Sequence, residues 1–380
     1  MKQQLAGIEL LRVVKELKEI IGGKINQIYV NREKKEMLFE VYVSNKGRQL
    51  LRIIFPSFIF LASVKPESQT KPDGYCMYLR KYLKNARVKE IEQVGAERIL
   101  CITIEAHDIT KKEYVPVIYK MYIELFSKGN FILANEQNMI LSPLEIQEWS
   151  SRSIKAKEQY VYPHQEYNMF QMSETDFEKA LEKSDKDTLV TTLAVNFGLG
   201  GIYAEEVCER AGVQKNIKPA AEGKKVYAGF QKLLDDVQNG TAVIVMNNNV
   251  QEDVFPCALK KYPSTRSCPS FLEALDQYFS PLVMQKERTE QTSKKEKIKT
   301  KLLTMIASQE KQITVCQEEY EHNQQIGEII YKNYQILDEI FKQLEQARLT
   351  KSWDDIKKSI KNSKYIKGID EKNKEITVDI

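Results

Sequence analysis

The sequence predicts an α+β protein in three parts, residues 1–168, 169–280 and 281–380. Runs rich in β-branched and aromatic residues, separated by turn signals, concentrate in the first part. The second part shows helical spacing of apolar residues around glycine turns. In the third part, no proline follows Pro281 before Ala347, and Gly327 is the one glycine of that stretch. We therefore expect a sheet domain, a helical domain and long helices.

Composition narrows the class of protein. Of the 380 residues 42% are hydrophobic and 29% charged, with a net charge of +4, which is typical of a globular chain. No apolar run reaches the roughly 20 residues of a membrane helix, and the start lacks a signal-peptide cleavage pattern. The six cysteines are scattered without a Cys-x-x-Cys pair. We expect a cytoplasmic protein without disulfides, a metal site or a membrane partner.

The first part begins with a helix and continues as strands. Leu10, Val13, Val14 and Leu17 share one helix face, and the glycine pair at 22–23 supplies the backbone freedom that ends the helix. Seven strand-like runs follow, and their alternation predicts an antiparallel sheet. These runs are KINQIYVN, MLFEVYVS, LLRIIF, FIFLASV, RILCITIE, VIYKMYIEL and NFILAN.

A second helix interrupts the strands. Asp73 is expected to cap a helix that runs through residues 75–89. On that helix, basic side chains would gather away from the sheet and pair with phosphates along a nucleic-acid backbone. A solvated helix face is the alternative, and composition alone slightly favours it. We call this set the basic ridge: Arg80, Lys81, Lys84 and Arg87.

The second part contains a predicted hairpin of two helices over residues 187–213. A glycine turn and a helix start both expose unpaired N–H groups, so Gly200 and Gly201 are candidates for phosphate contact. Glu205 and Glu206 are expected in the first turn of the second helix, where they would repel phosphate. Plain helix packing is therefore an equal alternative for this hairpin.

The third part is predicted to form long helices, as a coiled coil that projects from the body. Its apolar residues recur at helical spacing: Ile298, Leu302, Met305, Ile306, Ile313, Ile326, Ile330, Tyr334, Leu337 and Phe341.

Catalytic patterns are weak. The chain has no phosphate-binding loop of the GxxxxGK[ST] type, and its glycine-rich turn at 198–201 follows a helix rather than a strand. His107, His164 and His322 are separated, with no local triad arrangement around them. We therefore expect a protein that is not an enzyme and uses no cofactor.

Several phrases stand out together: GIELLRVVKEL, KINQIYV, YLRKYLKNARV, LFSKGNFILAN, TLAVNFGLGGIYAEEVCERAGV and IYKNYQILDEIFKQLEQAR. In order and spacing, over essentially the whole chain, they resemble the NFACT family of ribosome-quality-control factors, once called fibronectin-binding-protein-A-like. The resemblance implies an NFACT-N domain similar to the amino-terminal domain of formamidopyrimidine-DNA glycosylases, then a helix-two-turn-helix at 187–213 and a coiled-coil middle domain. The family continues into an NFACT-R domain that is not found here, so we expect a truncated middle region.

The resemblance also implies a function. Family members bind a large ribosomal subunit that still carries a peptidyl-tRNA after stalling. They recruit charged tRNA, chiefly alanyl-tRNA, to extend the nascent chain from its carboxyl end, without a bond-making site of their own. The implied partners are therefore the large subunit, tRNA and the complex of nascent chain and peptidyl-tRNA.

Three residues carry the family's functional positions. The acidic residue near the start falls on Glu9, and the acid-arginine pair before a strand falls on Glu97 and Arg98. Both acids are usually aspartate in the family, and glutamate lengthens the reach by one methylene. With the basic ridge and the glycines at 200 and 201, these form the predicted tRNA and ribosome contacts. A weak surface ion pair is the alternative for Glu97 and Arg98.

Two other functions stay open at this point. The relationship to the glycosylases suggests a DNA-binding protein, but their amino-terminal proline nucleophile is absent, since the chain begins Met1-Lys2-Gln3. A coiled-coil adaptor or a surface adhesin is the third hypothesis, and adhesion fits poorly with the missing secretion signal.

Overall fold

The computed structural model describes residues 2–65, 71–111, 113, 115–150, 152–163, 167–248, 250–360, 363–370 and 372–380, and for 282–294 the backbone alone. Two compact units divide the chain, Met1–Glu287 and Arg288–Ile380. The histidine at 164, considered above for catalysis, lies outside the described residues.

Helix α1, Gly7–Leu17, opens the first unit as predicted. Leu10, Val13, Val14 and Leu17 are buried on one face, and Gly22 with φ of 81° lies in the turn that leads to the first strand. The neighbouring Ile8 instead packs in a second core built by the helices of residues 170–240. Helix α1 therefore lies between two cores and contributes to both.

A nine-stranded sheet forms the larger core. Every neighbouring pair is antiparallel, in the order β4-β3-β2-β1-β5-β6-β7-β8-β9. All seven predicted runs are strands, which confirms the antiparallel sheet, and β5 and β9 add to them. The strands are β1 Lys24–Asn31, β2 Glu36–Val43, β3 Gly47–Ile54, β4 Phe58–Leu61, β5 Arg87–Gln93, β6 Ile99–His107, β7 Pro116–Glu124, β8 Asn130–Asn135 and β9 Ile140–Pro143.

Helix α2, Gly74–Leu83, is shorter than predicted. Asp73 caps it by accepting from the Cys76 N–H at 2.7 Å, as expected. Asn85 adopts a left-handed conformation with φ of 68°, and its N–H donates to a carbonyl of β1 at 2.8 Å. This turn ends the helix, so the predicted continuation to residue 89 is wrong, and Arg87 begins β5.

The middle of the chain is helical with a small sheet. A two-stranded hairpin, β10 Gln147–Glu148 and β11 Ser153–Ile154, precedes it. The helices are α3 Glu174–Glu182, α4 Leu189–Thr191, α5 Gly201–Ala211 and α6 Gly223–Asn239, with a wide π turn over Thr192–Asn196 after α4. Strands β12 Ala242–Asn247, β13 Val250–Phe255 and β14 Thr265–Cys268 pair in the order β13-β12-β14. The helix-two-turn-helix assignment stays a prediction.

The remaining elements are α7 Phe271–Lys332, α8 Tyr334–Thr350, α9 Trp353–Ile360, β15 Ile366–Asp370 and β16 Glu375–Val378. Helix α7 begins against α1, because Glu16 accepts the Phe271 and Leu272 N–H groups at 3.0 and 2.8 Å. Further along, the apolar residues from Ile298 to Ile330 are exposed. The long helices are confirmed, whereas the coiled coil and the boundaries at 168 and 280 stay predictions. Among the described residues, no helix is long and apolar enough to cross a membrane.

Candidate functional site

A cleft of about 820 Å³ in the first unit brings together five of the nine predicted contact residues. The main segments that line it are the arm, which we define as residues 2–6, the start of α1, the turn 96–98, the loop and helix start 194–203, and the small sheet around Phe255. The five predicted residues that line the cleft are Glu9, Glu97, Arg98, Gly200 and Gly201.

The turn that carries Glu97 and Arg98 is packed closely against the start of α1. The Gln93 side-chain amide donates to the Gly7 and Glu97 carbonyls, both at 2.8 Å. A Cβ placed on Gly7 would lie 2.4 Å from the Ala96 carbonyl oxygen, so only glycine allows this approach. The turn and the helix are therefore held in a fixed relation.

Glu97 and Arg98 are half-buried. Burial raises the pKa of the Glu97 carboxyl against the opposing effect of the Arg98 charge, and it lowers the pKa of Arg98. No ion pair within 4.0 Å joins the two in the described part of the chain. The Arg98 Nη1 donates to the Leu5 carbonyl at a long 3.5 Å, so most of its five donors remain for a ligand.

The start of α5 faces the same cleft. Gly200 precedes the helix with φ of 76° and ψ of 161°, and it has no side chain with which to cap the first turn. Because the first N–H groups of a helix have no partner inside it, they are available to an acceptor in the cleft. A Cβ on Gly200 or Gly201 would meet nothing within 4 Å, so the space in front of them is open.

The expected repulsion from the two glutamates of α5 is wrong. The helix begins at Gly201, so both lie beyond its first turn. Glu206 is buried and accepts from Arg210 at 2.7 Å and from the Lys260 N–H at 3.0 Å. Glu205 pairs with two lysines, which lower the pKa of its carboxyl. Neither carboxylate lines the cleft.

Glu9 lies at the floor of the cleft and its side chain is 0% exposed. The Ala6 N–H donates to Oε2 at 2.8 Å, while the Lys2 ammonium and the Tyr203 hydroxyl donate to Oε1, each at 2.5 Å. Burial, followed by the Glu9 charge, raises the pKa of Tyr203 well above its ordinary value, which keeps the hydroxyl as a donor.

Lys2 has further partners. Its ammonium donates to the Val254 carbonyl at 2.6 Å, lies 3.8 Å from Asp253 Oδ1 and sits 4.2 Å from the centre of the Phe255 ring. A lysine with four such contacts is fixed between two carboxylates and an aromatic face. The amino-terminal arm is therefore attached to strand β13.

The basic ridge does not line this cleft. Arg80 donates from Nε and Nη2 to the Ile28 carbonyl at 2.9 and 2.6 Å, so it is engaged with the sheet rather than free. Lys81, Lys84 and Arg87 are exposed, and Arg87 extends from β5 instead of α2. The structure thus does not bring the nine predicted residues to one place.

Lys2 and Tyr203 are not among the nine residues predicted from the sequence. The spacing of apolar residues could have placed Tyr203 on the buried face of α5, because it precedes Val207 by one helical turn. No local pattern in the sequence could have identified Lys2, since its partners are 7 and 252 positions away. In the described part of the chain, no group of three His, Cys, Asp or Glu residues is placed to hold a metal ion.

Comparison with known proteins decides the family. Residues 6–379 match the family described as NFACT N-terminal and middle domains. The chain belongs to the NFACT family. The NFACT chain is 33% identical over 378 residues to the archaeal Rqc2 homolog aRqcH of Methanocaldococcus jannaschii, covering 96% of this chain and 55% of that relative. It is also 21% identical to the human ribosome quality control complex subunit NEMF, covering 91% of this chain and 34% of NEMF.

Solved structures share the fold. The N-terminal part of the fibronectin/fibrinogen-binding protein from Streptococcus suis aligns with a TM-score of 0.59 at 20% identity, covering 73% of this NFACT chain and 100% of that chain. The fibrinogen binding protein from Staphylococcus aureus aligns with a TM-score of 0.57 at 18% identity, covering 72% and 98%. At these identities the likeness concerns the fold alone. The present chain spans about half the length of its archaeal relative.

Proposed function

We propose that this chain acts in ribosome quality control. It binds large ribosomal subunits that have stalled with a peptidyl-tRNA, and it recruits charged tRNA for tailing of the nascent chain, in the cytoplasm. The observation that carries the proposal is the cleft, in which Glu97, Arg98 and the glycine loop line one cavity. The names of the archaeal and human relatives support the same role.

The chemistry of the cleft suits an RNA ligand. Arg98 supplies a cation, the start of α5 supplies N–H donors with the positive end of a helix dipole, and both suit phosphate oxygens. The cleft is also lined by the aromatic residues Tyr167 and Tyr262, and Tyr262 stacks on the buried ring of Phe255. Contacts of this kind recognise backbone charge and RNA shape rather than a long base sequence.

The exposed part of the basic ridge supplies a second contact. Lys81, Lys84 and Arg87 are joined by Lys24, which is the register partner of Arg87 on the neighbouring strand. These four cations have no carboxylate within 4.0 Å among the described residues. An uncompensated positive surface of this kind attracts a polyanion, and we assign it to the phosphate backbone of the same RNA or of the ribosomal subunit.

The chain acts as a binding factor and not as an enzyme in this proposal. It holds tRNA in place, and the bond is made by the ribosome to which it is bound. No cofactor is required for such a role.

Binding of tRNA at several salt concentrations tests the proposal. We expect affinity to fall steeply with salt, and Arg98→Gln to reduce both affinity and the slope of log K against log salt, by about one unit of slope per lost phosphate contact. Arg48→Gln is the matched control, because Arg48 is an exposed arginine of the sheet, paired with Glu40 and outside the cleft and the ridge.

Three outcomes would contradict the proposal. A flat salt response of the wild-type chain would favour the adaptor hypothesis. Release of a base from duplex DNA that carries oxidised bases would favour the glycosylase hypothesis. Sedimentation with stalled large subunits no better than that of an unrelated helical protein would exclude the ribosomal role.

A further inference from the structure

The carboxylate of Glu9 already accepts hydrogen bonds from three donors of the protein itself. Its three donors come from two segments: the Ala6 N–H and the Lys2 ammonium belong to the arm, and the Tyr203 hydroxyl belongs to α5. At 0% exposure the side chain cannot be reached by a ligand without rearrangement of these segments. The resemblance implied a direct contact between this acid and tRNA, and the geometry opposes that role.

We propose instead that Glu9, Lys2 and Tyr203 form a positioning triad that holds the start of α5 at a fixed distance from Arg98. The inference rests on the proposed function, because the groups whose spacing the triad would set, Arg98 and the start of α5, are the proposed RNA contacts. Glu9 does not touch RNA. Lys2 and Tyr203 have no role assigned by the family resemblance.

Tyr203 links the triad to the glycine loop. It is the third residue of α5, within one helical turn of Gly200 and Gly201. The N–H groups that face the cleft belong to this same turn, so fixing the phenol fixes their direction. A hydrogen bond to a charged, buried carboxylate is among the stronger side-chain bonds in a protein, which suits a positioning role.

Lys2 links the triad to Arg98. The arm that begins with Lys2 also carries the Leu5 carbonyl, which accepts from Arg98 Nη1 at 3.5 Å. Lys2 further attaches the arm to the Val254 carbonyl, and its charge offsets those of Glu9 and Asp253. Arg98 and α5 are thereby tied to a single carboxylate from opposite sides of the cleft.

A tyrosine variant with a matched control tests the proposal in the full chain. Tyr203→Phe removes the hydroxyl that donates to Glu9. Tyr160→Phe removes a hydroxyl that donates to another buried carboxylate, Glu124, at 2.8 Å and outside the cleft. We expect Tyr203→Phe to weaken tRNA binding about tenfold, the effect of one hydrogen bond to a charged group, with an unchanged salt slope. Tyr160→Phe should leave affinity unchanged.

Amide hydrogen exchange supplies a readout that does not depend on RNA. The amides of residues 204–207, which start with the bond from the Ala204 N–H to the Gly200 carbonyl, should exchange faster in Tyr203→Phe than in the wild-type chain, and at the wild-type rate in Tyr160→Phe. Wild-type exchange in both variants would overturn the triad. Faster exchange in a chain that binds no tRNA would support the triad while the proposed function fails.

A double-mutant cycle separates positioning from contact. If Glu9 acts through Tyr203, Glu9→Gln should weaken tRNA binding in the wild-type background and add little in the Tyr203→Phe background. Because Glu9 also acts through Lys2, additive losses that persist when Lys2→Gln is present as well would mean that Glu9 contacts RNA directly and would overturn the proposal. An unchanged affinity of Tyr203→Phe would do the same.

Discussion

Two buried carboxylates in the first unit have the same kinds of hydrogen-bond partner. Each accepts from a basic side chain and from a tyrosine hydroxyl, at distances between 2.5 and 3.0 Å. Each is 0 to 1% exposed. The two sets are Glu9 with Lys2 and Tyr203, and Glu124 with Arg152 and Tyr160.

The two sets differ in what they connect. Arg152 and Tyr160 lie 28 and 36 positions from Glu124, and Arg152 also sits 4.6 Å from the centre of the Trp149 ring, so this set attaches the segment after β9 to the end of β7. Tyr203 lies 194 positions from Glu9 and belongs to a helix that lines the cleft. Similar groups, a basic side chain and a phenol on a buried carboxylate, therefore stabilise a local fold in one place and, in our proposal, set the geometry of a binding cleft in the other.

Removal of either carboxylate should have the largest effect on stability. We expect Glu9→Ala and Glu124→Ala each to lower the free energy of unfolding by about 3–5 kcal/mol, because each removes the buried anion to which a cation and a tyrosine hydroxyl donate. Urea denaturation at neutral pH measures this loss. A loss below about 1 kcal/mol for one of them would show that its cation finds another partner, and the two sets would not be equivalent.

The loop beside the Glu9 set should be the next most sensitive feature. Gly200→Ala is expected to cost about 1–3 kcal/mol, because φ of 76° with ψ of 161° is a conformation essentially confined to glycine. Gly201 is helical and has open space around its Cβ position, so Gly201→Ala should leave the free energy of unfolding unchanged or raise it slightly. Thermal unfolding of the two variants gives the comparison. Equal losses would contradict the backbone conformation described for this loop.

Alkaline pH should weaken both sets through their tyrosines. Burial is the first cause that raises the pKa of Tyr203 and of Tyr160 above the ordinary 10.0, and the neighbouring carboxylate is the second. Above pH 10 the unfolded chain releases these protons while the folded chain keeps them, so stability falls as pH rises. Each tyrosine contributes about 1.4 kcal/mol per pH unit to this fall.

Phenylalanine variants isolate that contribution. The stability difference between the wild-type chain and Tyr203→Phe should shrink between pH 10 and 11, and Tyr160→Phe should show the same trend. Urea titrations at pH 9, 10 and 11 provide the data. Parallel pH curves for wild type and variant would mean that the phenol ionises equally in both states.

The smallest effect should come from the ridge, which belongs to neither set. Lys81→Gln and Lys84→Gln are each expected to weaken tRNA binding two- to five-fold, at most about 1 kcal/mol, and to lower the salt slope. Arg80→Gln should change affinity no more than these, although it removes a charge, because Arg80 is engaged with the Ile28 carbonyl. A larger loss for Arg80→Gln would show that Arg80 turns toward RNA.

Much of the first unit follows from local pattern. Strand β1 alternates buried and more exposed residues, and Asp73 caps α2 through its own side chain, so both features are visible in a short window of sequence. The end of α2 is not visible in the same way. Asn85 leaves the helix because β1 offers its N–H a carbonyl, a partner 60 positions earlier in the chain.

The candidate site shows the same limit. Glu9, Glu97 and Arg98 were assigned from the family resemblance, and they meet in one cleft. What Glu9 does there depends on Lys2 and Tyr203, which only the tertiary fold brings to it. The sequence pointed to Glu9, but it could not show that Lys2 and Tyr203 donate to the Glu9 carboxylate.

Helix α1 carries two carboxylates, one near each of its ends, that bind different parts of the first unit. Glu9 accepts hydrogen bonds from the arm and from α5, and Glu16 accepts hydrogen bonds from the first N–H groups of α7. Seven residues separate them, about 10 Å along a stiff rod. Because the rod is stiff, the arm and the starts of α5 and α7 share one support, and their spacing is set by the length of α1.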